Sequence, residues 1–185
     1  MEAEDELVDR SRTGDHLAFA RLIEMHQTVA RRVATTMMGS GGEADDVVQD
    51  AFVKAFTRLD QFRDGRSFRA WLLTIVANEA RNRHRSAGRR ATLARRLAVR
   101  RHDPSRDPAT DPARAQEAAE LRERLAAAVG ALGDRDREVI ALRYFAELTE
   151  AETAEVLDCP SGTVKSRLNR ALGRLRATMA SEVPR

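Results

Sequence analysis

Asp45, Asp46, Gln49 and Asp50 form the densest set of candidate ligand side chains in the chain. Paired carboxylates answered by another a turn later are one way for a helix to hold a divalent cation through oxygen ligands. Such clusters serve magnesium-dependent diphosphate chemistry. Here the spacing is DDxxxD, and no second acidic cluster faces the first, so neither a metal centre nor a catalytic residue is expected. The same residues open a helical pattern, where the helix dipole favours negative charge. A solvated helix start and a docking face for a basic partner protein both suit them.

The second constellation spans residues 149–176, TEAETAEVLDCPSGTVKSRLNRALGRLR. Thr149 followed by Glu152 is a capping box, which predicts a helix beginning at Glu150. Asp158, Cys159, Pro160, Ser161 and Gly162 break that helix, since proline has no N–H to donate and glycine tolerates turn geometry. Ser161 is expected to cap the next helix, with Val164, Leu168, Ala171, Leu172 and Leu175 as its apolar stripe. Opposite the stripe stand Lys165, Ser166, Asn169, Arg170 and Arg174. A helix packed by one face and carrying short donors and arginines on the other suits the major groove of DNA. A solvated amphipathic helix would show the same stripe. The short capped helix and the turn before it favour a helix-turn-helix.

Both constellations need helices to position them, and the rest of the chain supplies helical patterns. A short acidic one covers about residues 4–12. Asp15 is placed to cap a second, which turns Phe19, Leu22, Ile23, His26, Val29, Val33 and Met37 inwards before GSGG at 39–42 stops it. The third covers residues 43–59, with Val47, Val48, Ala51, Phe52, Ala55, Phe56 and Leu59 on one face. After a polar loop, Ser67 is expected to cap a fourth. Its inner face holds Phe68, Trp71, Leu72, Ile75 and Val76, with Asn78, Arg81, Asn82 and Arg85 beyond them. From residue 87 the pattern loosens: RRATLARRLAVRR either extends the fourth helix or stays flexible. Asp-Pro then recurs at 103–104, 107–108 and 111–112, which holds a chain extended. Helices resume near Ala115 with Leu121, Leu125, Val129 and Leu132, and restart after Gly133 with Asp134 as cap. The expectation is an all-α protein of two small helical domains, residues 1–86 and 115–185, joined by a basic, flexible linker over 87–114.

Bulk properties fit this picture. Aromatic residues are only 4% of the 185, and alternating β-branched runs are absent. No apolar run is long enough to span a membrane, and the acidic start MEAEDELVDR lacks the apolar core of a secretory signal. A lone Cys159 and four scattered histidines argue for a reducing cytoplasm and against a zinc site. Residues 86–116 carry eight basic side chains against three acidic, so the linker is basic while the flanking halves are near neutral. Such a split suits one edge for a polyanion and another for a different partner.

Three blocks occur in order: ADDVVQDAFVKAF at 44–56, FRAWLLTIVANEARNRHR at 68–85 and CPSGTVKSRLNRALGRLR at 159–176. Together they resemble the bacterial extracytoplasmic-function (ECF) sigma factors of the sigma-70 family, the small specificity subunits of RNA polymerase. The likeness covers about residues 5–85 and 117–178. It implies that the first domain is sigma region 2 and the second sigma region 4. Asp45, Asp46, Gln49 and Asp50 would then dock on the clamp of the polymerase largest subunit, and the flap of the second-largest subunit would receive region 4. Phe62, Arg63 and Phe68 would wall a pocket for a flipped base of the melted −10 element, while Asn78, Arg81, Asn82 and Arg85 track the strand. Ser161, Thr163, Lys165, Ser166, Asn169, Arg170 and Arg174, with Arg143 on an earlier helix, would meet the −35 duplex. The family implies no cofactor, no catalysis of its own, a place in the cytoplasm at the nucleoid, and an anti-sigma protein as regulator. A stand-alone helix-turn-helix regulator is the alternative, but it leaves the acidic helix and the joint without a role.

Overall fold

The computed structural model describes residues 3–39, 43–63, 65–94 and 112–181. Among these residues all regular structure is helical. Domain one holds α1 (Glu4–Arg12), α2 (His16–Met38), α3 (Ala44–Thr57) and α4 (Phe68–Ala94). Domain two holds α5 (Pro112–Gly130), α6 (Asp134–Ile140), α7 (Glu150–Leu157) and α8 (Ser161–Ser181).

Local chemistry sets most of the helix ends. α1 opens on Glu4, Asp5 and Glu6 and closes on Arg10 and Arg12, the charge order its dipole favours. The Asp15 carboxylate caps α2 by accepting from the N–H groups of Leu17 at 2.9 Å and Ala18 at 3.1 Å. It also takes the Arg10 guanidinium at 2.6 Å. This pairing, with the two N–H donors, holds the carboxyl below its ordinary range. α2 stops at Gly39, whose φ of +70° is costly for any residue with a Cβ. Ser67 caps α4 as expected, its hydroxyl accepting from Ala70 N–H at 3.2 Å.

Some boundaries depart from the sequence pattern. The third helix ends at Thr57, and Leu59–Gln61 is a separate 3-10 turn, so Leu59 reaches the core from a tighter coil. Asp134 and Ser161 are each the first residue of their helix instead of its cap. Gly133 stands at the cap of α6, and the Pro160 carbonyl accepts from Thr163 N–H at 2.8 Å at the start of α8. α4 continues to Ala94, inside the span assigned to the linker. The repeats at 103–104 and 107–108 lie outside the described residues, whereas Pro112 opens α5.

The core of domain one lies between α2, α3 and α4, where Leu22, Val33, Val47, Leu72, Leu73 and Val76 have no solvent exposure. Domain two has a smaller core of Val139, Val164 and Ala171 with Leu132 and Leu175. The two do not stand apart. After α6 the helix widens into a π turn, Ala141–Phe145, with Ala146 N–H bonded to Ala141 O at 3.0 Å. That turn carries Ala141 and Leu142, and the coil behind it carries Ala146 and Leu148. With Val156 of α7 these side chains join the core of domain one, packing on α2 and α4. Fully burying one such Leu or Val stabilises by about 1.5–3 kcal/mol.

Candidate nucleic-acid interface

The first helix of the helix-turn-helix begins at Glu150 behind the expected capping box, whereas Ser161 opens the second helix from inside it. Thr149 Oγ1 accepts from Glu152 N–H at 3.2 Å, and Thr149 N–H donates to Glu152 Oε2 at 2.8 Å. The Thr149 hydroxyl, 2.7 Å from Glu152 Oε2, and the Thr149 N–H together hold the Glu152 carboxyl below its usual range. Asp158 ends α7 in the left-handed region with φ of +48°, a conformation that aspartate tolerates better than most residues. The chain then turns through Cys159 and Pro160 into α8.

One face of α8 is buried through Val164, Ala171 and Leu175, which aims Lys165, Ser166, Asn169 and Arg170 at solvent. Ser161 is exposed and Thr163 half-buried beside them. Arg174 also forms an ion pair with Asp136, whose side chain is only 8% exposed. Arg143 sits in the π turn and donates to the Leu148 carbonyl, which fixes the coil leading into α7.

The face of α4 is engaged differently. Asn78, Arg81, Asn82 and Arg85 share one side of the helix, spaced at i, i+3, i+4 and i+7. Arg81 Nη1 donates to Asn78 Oδ1 at 2.7 Å, and Arg85 Nη2 to Asn82 Oδ1 at 2.9 Å. Arg81 also crosses to domain two, where its Nε lies 3.0 Å from Glu138 Oε1 and its Nη2 donates to Val156 O at 3.3 Å. Burial pushes the Glu138 carboxyl above its ordinary range even though Arg81 opposes the shift.

Phe62 and Phe68, expected as walls of an open base pocket, are 4% and 1% exposed. Their rings meet edge to face at 5.6 Å, and Phe62 also lies 5.3 Å from Trp71. Arg12 of α1 donates to the Phe62 carbonyl and stacks 5.7 Å from its ring. Arg63 beside them is exposed. An aromatic set that could accept a base is thus packed against itself, with Arg12 over it.

On α3 the four candidate residues divide by direction. Arg83 of α4 grips Asp46 at 3.1 Å and Asp50 at 2.7 Å, and these pairs hold its guanidinium more firmly charged. Asp45 pairs with Arg31 of α2 at 3.0 Å. Gln49 borders an apolar hollow of about 420 Å³ lined by His16, Phe19, Ile23, Phe52, Val53 and Phe56. Val53 there is 58% exposed, and the neighbouring Leu17 is 78% exposed. An acidic ridge beside an exposed apolar hollow gives a protein partner both charge and area.

Arg83, Arg31 and Arg69 were not singled out by sequence. Each lies in an arginine-rich stretch whose spacing shows which residues share a face, without showing the partner opposite: a carboxylate for Arg83 and Arg31, and the Ala146 carbonyl, 2.5 Å away, for Arg69. Among the described residues, no three His, Cys, Asp or Glu side chains are placed to hold a metal ion. No helix among them is long and apolar enough to cross a membrane.

Comparison with known proteins agrees with this geometry. The family models for sigma-70 region 2 and sigma-70 region 4 match residues 22–90 and 128–177. The chain is 34% identical over 169 residues to the ECF RNA polymerase sigma-E factor of Escherichia coli (strain K12), covering 89% of this chain and 88% of that protein. It is 30% identical to the ECF RNA polymerase sigma factor SigW of Bacillus subtilis (strain 168), over 91% of this chain and 92% of the relative. Among solved structures, CnrH in complex with the cytosolic domain of CnrY matches with a TM-score of 0.71 at 29% identity, over 98% of this chain and all (100%) of CnrH. The sigma factor RpoE in complex with the anti-sigma factor NepR, from Bartonella quintana, matches with a TM-score of 0.73 at 25% identity, over 89% of this chain and 98% of RpoE.

Two helical domains, one ending in a helix-turn-helix, are the architecture of a promoter-reading subunit. The chain belongs to the ECF sigma factors of the sigma-70 family, and its function is promoter-specific initiation of transcription by RNA polymerase.

Proposed function

We propose that the chain docks on core RNA polymerase through the acidic and apolar surface of α3, with Asp45, Asp46, Gln49 and Asp50 against the clamp. Domain two then approaches the flap. Lys165, Ser166, Asn169 and Arg170 of α8 read the −35 duplex, with Ser161, Thr163, Arg143 and Arg174 at its edges. Arg63, Asn78, Arg81, Asn82 and Arg85 follow the melted −10 strand, and Phe62 with Phe68 borders the site of a flipped base. Unpaired bases offer their edges and faces, and arginines neutralise the phosphates that carry them. The work is recruitment and melting, with no covalent step and no cofactor, carried out in the cytoplasm at the nucleoid. A protein inhibitor is proposed too, in view of the complexes that related sigma factors form with CnrY and NepR.

One observation carries this reading. Lys165, Ser166, Asn169 and Arg170 on the polar face of α8 are exposed while its opposite face is locked into the core of domain two. A run-off assay with bacterial core enzyme and a random promoter library tests it. The expected outcome is a set of transcripts whose templates share two boxes, with the preference at one position of the upstream box relaxed on Asn169→Ala. Absence of any promoter-dependent transcript would remove the proposal.

A further inference from the structure

The turn that leaves α3 carries Phe62 and Arg63, to which the proposed function gives the melted −10 strand. Two of its N–H groups are met within the turn, Gln61 donating to Arg58 O at 2.9 Å and Phe62 to Leu59 O at 3.2 Å. The carbonyls of Leu59 and Phe62 are met from a distant helix. Arg12 of α1 donates from Nη2 to the Phe62 carbonyl and from Nε to the Leu59 carbonyl at 3.4 Å. The same guanidinium lies 5.7 Å from the centre of the Phe62 ring, and Asp9 steadies it at 3.1 Å.

We infer that Arg12 is a positioning residue for capture of the melted strand: it clamps the Leu59–Phe62 turn in the conformation that presents Phe62 and Arg63 to a flipped base. The inference rests on the role proposed for Phe62 and Arg63.

A planar guanidinium can meet two carbonyls and a ring face at once, whereas a lysine ammonium is a single point charge. Both bonds end on backbone atoms, so they fix where the chain runs at Phe62, and Arg63 follows directly. The rest of the turn is loosely held. Leu59 and Phe62 enter the core, but Arg58, Asp60, Gln61 and Arg63 are exposed. Fastening α1 to the domain does not require Arg12. Leu7 and Val8 are 3% and 2% exposed in the core, Glu4 pairs with His26 at 2.6 Å, and Arg10 pairs with Asp15. What Arg12 adds is the hold on the turn. It also precedes residues 22–90, the span that the sigma-70 region 2 model matches, so that likeness gives it no role.

The test compares holoenzymes assembled from core polymerase and the full chain, unaltered or carrying Arg12→Ala, Arg12→Lys or Leu7→Ala. The probe is a promoter selected from the library, with its −10 element pre-melted as a mismatched bubble. Four versions differ in one non-template base, at the position where the unaltered holoenzyme discriminates most. Arg12→Ala and Arg12→Lys should each reduce that preference about tenfold, the size of one base contact. Affinity for core polymerase and for the −35 duplex should not change, whereas a role confined to stability would not single out the bubble base. Leu7→Ala empties a core position of the same helix. It should lower the urea midpoint at least as far as Arg12→Ala and keep the base preference. If Arg12→Ala loses helicity, Arg12→Lys carries the test alone. An unchanged preference in either folded Arg12 variant overturns the inference. So does an equal loss on Leu7→Ala, which would make the packing of α1 the cause. If the unaltered holoenzyme binds no bubble more tightly than the duplex, the proposed function has failed at the −10 strand and the inference falls with it.

Discussion

The two surfaces assigned to DNA are prepared in opposite ways. On α8 the side chains proposed to read DNA are exposed, and the helix behind them is fixed by Val164, Ala171 and Leu175. On α4 and the Phe62 turn, the aromatic side chains and one arginine are engaged by the protein itself: Phe62 and Phe68 are buried and Arg81 is paired with Glu138, while Arg63, Asn78, Asn82 and Arg85 are exposed. The difference follows from what each surface is proposed to meet. Duplex base edges are present before binding, so their reader can be built complete. Unpaired bases exist only after melting, and aromatic faces waiting for them in water would be an exposed apolar patch.

The largest expected effect tests whether the covered surface belongs to the fold. Phe68→Ala removes a fully buried ring and should cost about 3–5 kcal/mol in urea unfolding. A loss below about 1 kcal/mol would mean that Phe68 is held ready for a ligand and is not packed as core. Next comes the open surface. Asn169→Ala should leave the melting temperature unchanged and lower discrimination at one base pair of the −35 element by about 1–3 kcal/mol, read by competition binding of the holoenzyme. If stability falls instead, the exposed face is structural and the contrast between the surfaces collapses.

Arg174 sharpens the comparison, because it borders the open surface and yet is tied to the core. Arg174→Ala leaves the Asp136 carboxylate buried without its partner and should cost about 1–3 kcal/mol of stability. Its effect on duplex discrimination should be smaller than that of Asn169→Ala. Unchanged stability with lost discrimination would return Arg174 to the DNA face.

The smallest effect concerns His26, buried between Glu4, 2.6 Å away, and the Phe68 ring. Burial lowers its proton affinity from the ordinary value of 6.5, and Arg69 adds to the shift while Glu4 opposes it. A histidine depressed in this way contributes stability that is present above 6.5 and is lost as pH falls through its folded value. Thermal melts at decreasing pH should therefore show a loss starting below 6.5 that His26→Gln diminishes. An identical pH profile for the variant would assign the loss to other groups.

Much of the molecule was legible in its residues. The Asp15 cap, the Ser67 cap and the Thr149–Glu152 box depend on contacts within three positions, so local sequence determines them. The stripe of α8 is legible for the same reason, since helical period alone sorts Val164 and Ala171 from Lys165 and Asn169. What the pattern left hidden depends on tertiary approach. Leu142 belongs to the helical pattern of the second domain, but the π turn shifts the helix phase, and Leu142 and the later Leu148 join the core of domain one. The burial of Phe62 was equally hidden, because Arg12, which covers it, comes from a helix fifty residues earlier in sequence. Arg83 could be assigned to Asp46 and Asp50 only once α3 and α4 were seen side by side.

Promoter opening is tested most directly by permanganate footprinting of a promoter selected from the library, with the chain alone and with the chain bound to core polymerase. Only the complex should make thymines reactive in the −10 element, and Arg81→Ala should weaken this reactivity while −35 protection persists. Protection at −35 with no reactive thymines in the complex would contradict the proposed function, leaving a duplex-binding protein that does not open DNA.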